Sequence, residues 1–276
     1  MNMYGAIIGD TVGSVYEFDN VKTKDFPLFS EYSSFTDDSV MTVAVAAALL
    51  RWKRDGADLH NAMVEEMQRF GRRYPHPKGA YGGRFSQWLR SDDPRPYNSL
   101  GNGSAMRVSP CGLMAESLEE ALELARVSAE VTHNHPEGVK GAQAAAAAVY
   151  LARTGSSIPE IRAYISGNFY PLDRTLEEIR PDYRFNETCQ GTVPEAITAF
   201  LESESFEDAI RNAISLGGDS DTVGAITGAV AWAYYGRDGI QPDMRSMLDE
   251  IRLPEDLQTV VDDFAEYCAG HAGTGR

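Results

Sequence analysis

The chain has 276 residues, with 25 Lys and Arg against 41 Asp and Glu, so its formal net charge is −16. That surface repels polyphosphates and excludes nucleic-acid polymers and anionic membranes as expected partners, though not a small phosphorylated ligand. A 43% hydrophobic content suits a globular chain, whose length permits one large domain with a substantial core. Three scattered cysteines (Cys111, Cys189 and Cys268) with no CxxC argue against a disulfide framework and fit a reducing compartment. No HExxH or Cys/His cluster suggests zinc. The start, MNMYGAIIGD, lacks a basic leader, and the apolar runs fall well short of the roughly 20 residues a membrane span needs. The expected location is the cytoplasm.

Read from the N-terminus, Gly5–Ser14 is punctuated by glycines, but lacks a Walker lysine and GxGxxG spacing, so close helix packing is their expected role. Asp19–Ser34 reads as a flap over an entrance. Val40–Leu50 is apolar on nearly every face and predicts a buried helix, as do Gly141–Ala152 and Val223–Tyr235. His60–Phe70 is a further helix. Gly71–Pro110 is irregular, with Pro75, Pro77, Pro94 and Pro96, a glycine-rich Gly79–Gly83 and at most two helical turns at Phe85–Arg90. Ser117 and Glu120 form a capping-box pattern before a stripe from Leu118 to Val131. Ile158–Ile165 follows. Thr192 and Glu195 repeat the capping pattern before Ala196–Leu201, with Pro194 placed in a first turn. Ser205 and Asp208 open a helix to Ile214, and Pro254 opens one to Tyr267. With no βαβ rhythm, the expected fold is all-α, a single compact multi-helix domain over residues 1–276.

Two junctions stand out. Thr36-Asp37-Asp38-Ser39 precedes one buried helix, and Gly217-Gly218-Asp219-Ser220-Asp221-Thr222 precedes another. Either alone reads as a helix cap favoured by the macrodipole. Capping needs only one side chain, however, and four carboxylates at the ends of core helices are costly without a compensating cation. Oxygen-only ligands suit Mg²⁺ or Ca²⁺ rather than zinc, and two such clusters suit a two-metal site. The pair therefore favours a metal site over caps. Gly101-Asn102-Gly103-Ser104-Ala105-Met106-Arg107 is either an ordinary turn or an anion loop in which backbone amides, Ser104 and Arg107 donate. His133 and His135, in a turn before a helix, read equally as ligand contacts or as solvent-facing or capping residues.

The segments GAIIGDTVGSVYEF, FTDDS, GNGSAMRVSP, VTHNHPEGVKGA and GGDSDTVGAITGAVAWAYYG, taken in that order, span residues 4 to 236. Together they resemble the ADP-ribosylglycohydrolase family. The resemblance implies an all-α fold with two Mg²⁺ ions (Mn²⁺ as a substitute) in a cleft. It makes Thr36, Asp37, Asp38, Asp219, Asp221 and Thr222 the metal ligands. Gly101, Asn102, Gly103, Ser104, Met106 and Arg107 would hold the diphosphate and ribose, with His133 lining the cleft and Gly82 on a second glycine-rich rim. Glu17 and Asp38 are the candidates for general base. The implied substrate is an ADP-ribosylated protein or small ADP-ribose conjugate, cleaved at ribose C1″, and THNHPEG looks closer to arginine-directed members. A non-catalytic ADP-ribose binder and another metal-dependent hydrolase, such as a phosphoesterase, are the alternatives.

Overall fold

The computed structural model describes residues 2–271. Fifteen helices occur among them: α1 (Tyr4–Gly13), α2 (Asp37–Asp55), α3 (Leu59–Arg73), α4 (Gly83–Arg90), α5 (Gly103–Met106), α6 (Ser109–Met114), α7 (Leu118–Glu130), α8 (Pro136–Arg153), α9 (Ile158–Asn168), α10 (Leu176–Ile179), α11 (Cys189–Leu201), α12 (Phe206–Ser215), α13 (Ser220–Tyr235), α14 (Pro242–Leu248) and α15 (Glu255–His271). There is no strand among the described residues, only isolated bridges pairing Thr36 with Lys78 and Gly101 with Thr188. The all-α expectation holds. No described helix is long and apolar enough to cross a membrane.

The three all-apolar stretches are the central helices α2, α8 and α13. Each lacks a polar face because neighbours surround it: α3, α15 and α1 pack on α2, α7 and α6 on α8, and α1, α12 and α11 on α13. The closest of these pairings is α1 against α13. A Cβ on Gly5 would lie 2.2 Å from the Gly228 carbonyl oxygen, one on Gly9 1.9 Å from that of Gly224, and one on Gly13 2.4 Å from that of Ser220. The matched positions run in opposite directions, so the helices are antiparallel and meet backbone to backbone. Only glycine permits that approach, which is the close-packing role expected for the N-terminal glycines. The end of α1 thereby lies against the start of α13.

Caps follow the sequence with two exceptions. Ser117 Oγ accepts from Glu120 N at 3.1 Å and Ser205 Oγ from Asp208 N at 3.1 Å, as expected. Glu120 Oε2 reaches Glu116 N instead of closing a box on Ser117. At 192–195 the expected start is wrong. Helix α11 begins at Cys189, with Thr188 Oγ1 accepting from Gly191 N, and Pro194 lies inside it. Thr192 is instead fully buried, and its hydroxyl donates to the Asn186 carbonyl at 2.8 Å. The Asn186 side chain, which accepts from Thr188 N at 2.9 Å, holds Thr188 in place as the cap one turn earlier.

The expected entrance flap is anchored through its first half. Asn20 accepts from Gly218 N at 2.7 Å and donates to the carbonyls of Glu17 and Gly218, each at 3.0 Å. Lys22 donates to the Tyr183 carbonyl, Lys24 pairs with Asp208, and Arg211 donates to the carbonyls of Lys24 and Phe26. Phe26 is buried beneath. The segment is a strap across the GGDSD turn.

Candidate active site

Three helix ends converge on one cleft. Its acidic floor starts from Asp10, on the last turn but one of α1, which is fully buried. One carboxylate oxygen of Asp10 accepts from Thr36 N at 2.9 Å, Ser39 N at 3.1 Å and the Ser39 hydroxyl, and the other accepts from Thr36 Oγ1 at 2.7 Å. Thr36 Oγ1 in turn accepts from Asp38 N at 3.2 Å. The start of α2 is therefore capped by Thr36 and Asp10, and the carboxylates of Asp37 and Asp38 have no capping duty. The other junction behaves likewise. Asp219 occupies the N-cap position of α13 without a side-chain capping bond. Gly217 and Gly218, at φ +68° and +76°, make the left-handed turn that leads into it.

The two junctions meet. Thr222 Oγ1 donates to Asp38 Oδ2 at 3.4 Å, and the carboxylates of Glu17, Asp219 and Asp221 offer oxygens all within 4.8 Å of one another. Burial and the neighbouring Asp221 hold the Asp37 and Asp38 carboxyls well above the usual range. Burial and Asp219 do the same to Asp221. Burial, then Asp221, pushes Glu17 to about 8, and burial pushes Asp219 to about 6. Glu17 Oε2, Asp38 Oδ1 and Asp221 Oδ1 are buried without a hydrogen-bond partner. An orphaned, like-charged set of hard oxygen donors with no Cys or His is what a divalent Mg²⁺-type cation satisfies. The residues fit such a group.

This repulsion has a measurable sign. Glu17 has a folded pKa of about 8 against an ordinary 4.5, so the folded chain holds its proton more tightly than the unfolded one. Folding stability should therefore fall as pH rises from about 4.5 through about 8. Melts in EDTA should show that decline, and added Mg²⁺ should offset it most at the alkaline end. A metal-free melting temperature that climbs across this window would contradict the assignment.

Above the floor, a cleft of about 440 Å³ is lined by Glu17, Asp37, Asp38, Asp219, Asp221 and Thr222, and by Gly82, Gly101, Asn102, Gly103, Met106, Arg107 and His133. Thr36 is fully buried behind this surface. The glycine loop is pinned from behind: Asn102 N donates to the Glu187 carbonyl at 2.7 Å, and Cys189 N to the Leu100 carbonyl at 2.9 Å. Asn102 Nδ2 donates to Asp219 Oδ2 at 2.6 Å, joining this loop to the acidic floor.

The side chains of two expected ligand donors bond to the surrounding protein. Ser104 is fully buried and its hydroxyl donates to the Gly138 carbonyl at 2.7 Å. Arg107 lines the cleft; its Nη2 donates to the Ser128 carbonyl and Thr132 Oγ1, each at 2.8 Å, while its Nε is buried without a partner. The loop turns directly into α5 and α6, which carries both side chains inward.

Several cleft residues escape sequence reasoning. Arg84, Tyr97, Phe185 and Glu187 line it with no motif to mark them. Asp10 carried a signal: it is a lone carboxylate in an otherwise apolar, glycine-rich helix.

The fold and site define an all-helical protein with a buried cluster of carboxylates under a small-ligand cleft. The family model for ADP-ribosylglycohydrolase matches residues 2–273, so the chain belongs to the ADP-ribosylglycohydrolase family. Among relatives, it is 28% identical to the ADP-ribosylarginine hydrolase Tri1 of Pseudomonas putida (strain GB-1), covering 87% of this chain and 71% of that one. It is 27% identical to the human (Homo sapiens) ADP-ribosylhydrolase ARH3, covering 86% and 85%. A solved ADP-ribosylglycohydrolase-related protein complex superposes with a TM-score of 0.71 at 25% identity, over 96% of each chain. Membership makes the chain an ADP-ribosyl hydrolase, an enzyme of glycosyl bonds.

Proposed function

We propose that this chain is a Mg²⁺-dependent hydrolase that cleaves the C1″ bond of ADP-ribosylated proteins or small ADP-ribose conjugates, with arginine-linked substrates preferred. The observation that carries the reading is the convergence of unpartnered buried oxygens of Glu17, Asp38 and Asp221 beneath the cleft. Thr36, Asp37, Asp38, Asp219, Asp221 and Thr222 would hold two ions, Mg²⁺ or Mn²⁺. Bound there, they would neutralise the carboxylates, orient ribose hydroxyls and make a water more acidic.

The chain's own residues supply the rest. The Gly103 and Ser104 amides make no hydrogen bond among the described residues and open the anion side of the cleft. Arg84, whose guanidinium rests 4.8 Å over the Tyr97 ring and meets no carboxylate among the described residues, adds positive charge for a diphosphate. In this reading Glu17 or Asp38 takes the proton of the attacking water as the C1″ bond breaks through an oxocarbenium-like state.

The arginine preference draws on the rim. Phe18 and Phe185 stack with ring centroids 6.2 Å apart and stay exposed, and the Glu187 carboxylate lines the cleft with no ion-pair partner among the described residues. Aromatic faces beside a free carboxylate suit a planar guanidinium. Glu187→Gln should raise KM for an arginine-linked substrate about fivefold, the equivalent of ~1 kcal/mol. Turnover of a serine-linked substrate, assayed in parallel with the same Mg²⁺, should not change. An equal loss on both substrates, or none on either, would remove Glu187 from leaving-group recognition.

A further inference from the structure

The glycine loop faces a histidine whose protonation pattern is fixed from behind. His133 is buried, and its Nε2 lies 3.2 Å from where a Cβ on Gly103 would sit and 3.5 Å from one on Gly101. Its Nδ1 lies 2.7 Å from Thr132 Oγ1. That hydroxyl is fully buried and already accepts a hydrogen bond from the Arg107 guanidinium at 2.8 Å. If Nδ1 carried the imidazole proton, Thr132 Oγ1 would accept twice and its own hydrogen would have no acceptor in a dry interior, at the full cost of an unmade bond. If Thr132 donates to the bare Nδ1, every group is satisfied and the ring proton stands on Nε2. A doubly protonated ring is opposed by burial and by the Arg107 cation. Arg107 meets no carboxylate among the described residues, so its charge is not cancelled locally.

We propose that Arg107 and Thr132 are positioning residues that hold His133 as a neutral Nε2–H donor, aimed at an acceptor oxygen of the ligand seated on the Gly101–Gly103 loop. The chain of donors then runs from Arg107 N–H to Thr132 Oγ1, from Thr132 O–H to His133 Nδ1, and from His133 Nε2–H into the cleft, where no described residue accepts it. This gives Arg107 an indirect role in binding. The ligand half of the proposal rests on the ADP-ribose reading of the cleft; the tautomer half does not.

Nitrogen-15 correlation spectra of the imidazole rings, recorded on the free full-length chain near neutral pH, test it. His133→Gln identifies the His133 signals. The wild type should show a protonated Nε2 and a bare Nδ1. Thr132→Val should leave His133 exchanging between tautomers and weaken ADP-ribose binding in Mg²⁺ by about three- to tenfold, the range of one net hydrogen bond. Thr132→Ser, which keeps the hydroxyl, should restore both readouts. A protonated Nδ1 in the wild type would overturn the proposal, as would a Thr132→Val chain with unchanged tautomer and affinity. An Nε2–H tautomer in a wild type that fails to bind ADP-ribose would uphold the positioning pair and overturn the ligand reading instead.

Discussion

Asp221→Asn should slow ADP-ribose release by roughly a thousandfold, about 4 kcal/mol of lost barrier reduction. Asp221 is the residue through which the two acidic junctions act on each other. It shares the tight oxygen cluster with Glu17 and Asp219, and its charge raises the carboxyls of Asp37 and Asp38. The amide is nearly isosteric, so the cleft keeps its shape while one charged donor is lost. The same change should leave the EDTA-treated chain at least as thermostable as the wild type, because it relieves repulsion among buried carboxylates. Mg²⁺ should then raise its melting temperature less than it raises that of the wild type. Loss of activity with an intact or raised metal-free melting temperature separates a site residue from a merely structural one. Wild-type turnover by Asp221→Asn would remove it from the site.

Gly9→Ala should cost the fold about 3 kcal/mol or more, a large share of a domain's stability. The new methyl carbon would lie 1.9 Å from the Gly224 carbonyl oxygen and 2.3 Å from its carbon, both backbone atoms that no rotamer change can move aside. Relief requires α1 and α13 to separate. Because α1 carries Asp10 beneath the start of α2, and α13 begins at the Asp219–Asp221 turn, separation also spreads the acidic floor. Mg²⁺ affinity should therefore fall along with urea stability. Gly167→Ala provides the contrast. It lies in α9 with open space around the new methyl, so stability should hold or rise by up to ~1 kcal/mol. Equal midpoints for Gly9→Ala and wild type would contradict the packing account.

How much of this could be read from the sequence depends on whether a feature is local. The buried helices α2, α8 and α13 and the caps at Ser117 and Ser205 were legible because hydrophobic coverage and capping chemistry act within a few residues. The two acidic junctions were legible because each breaks a local rule, placing more carboxylates than a cap uses. Asp10 was less so: its four donors come from Thr36 and Ser39, 26 and 29 residues away. At Ser104 and Arg107 the surroundings were equally illegible. Their residue types suit an anion, but the partners that hold the side chains, Gly138 for Ser104 and Ser128 and Thr132 for Arg107, lie more than 20 residues away. At 188–195 two threonines compete as the start of one helix, and the bridge from Gly101 to Thr188 belongs to tertiary structure. The rim residues Phe18, Phe185 and Glu187 come together only when the strap and the 183–188 loop are in place.

The central claim is that the acidic floor supports metal-dependent cleavage at the ribose of an ADP-ribosyl group. Its most direct test is mass-spectrometric identification of the product released from an arginine-ADP-ribosylated protein, with Mg²⁺, with EDTA, and with EDTA followed by excess Mg²⁺. The account predicts intact ADP-ribose and an unmodified arginine in the first and third conditions, with little release in the second. Release of AMP or phosphate, EDTA-insensitive turnover, or tight binding without any product would contradict it.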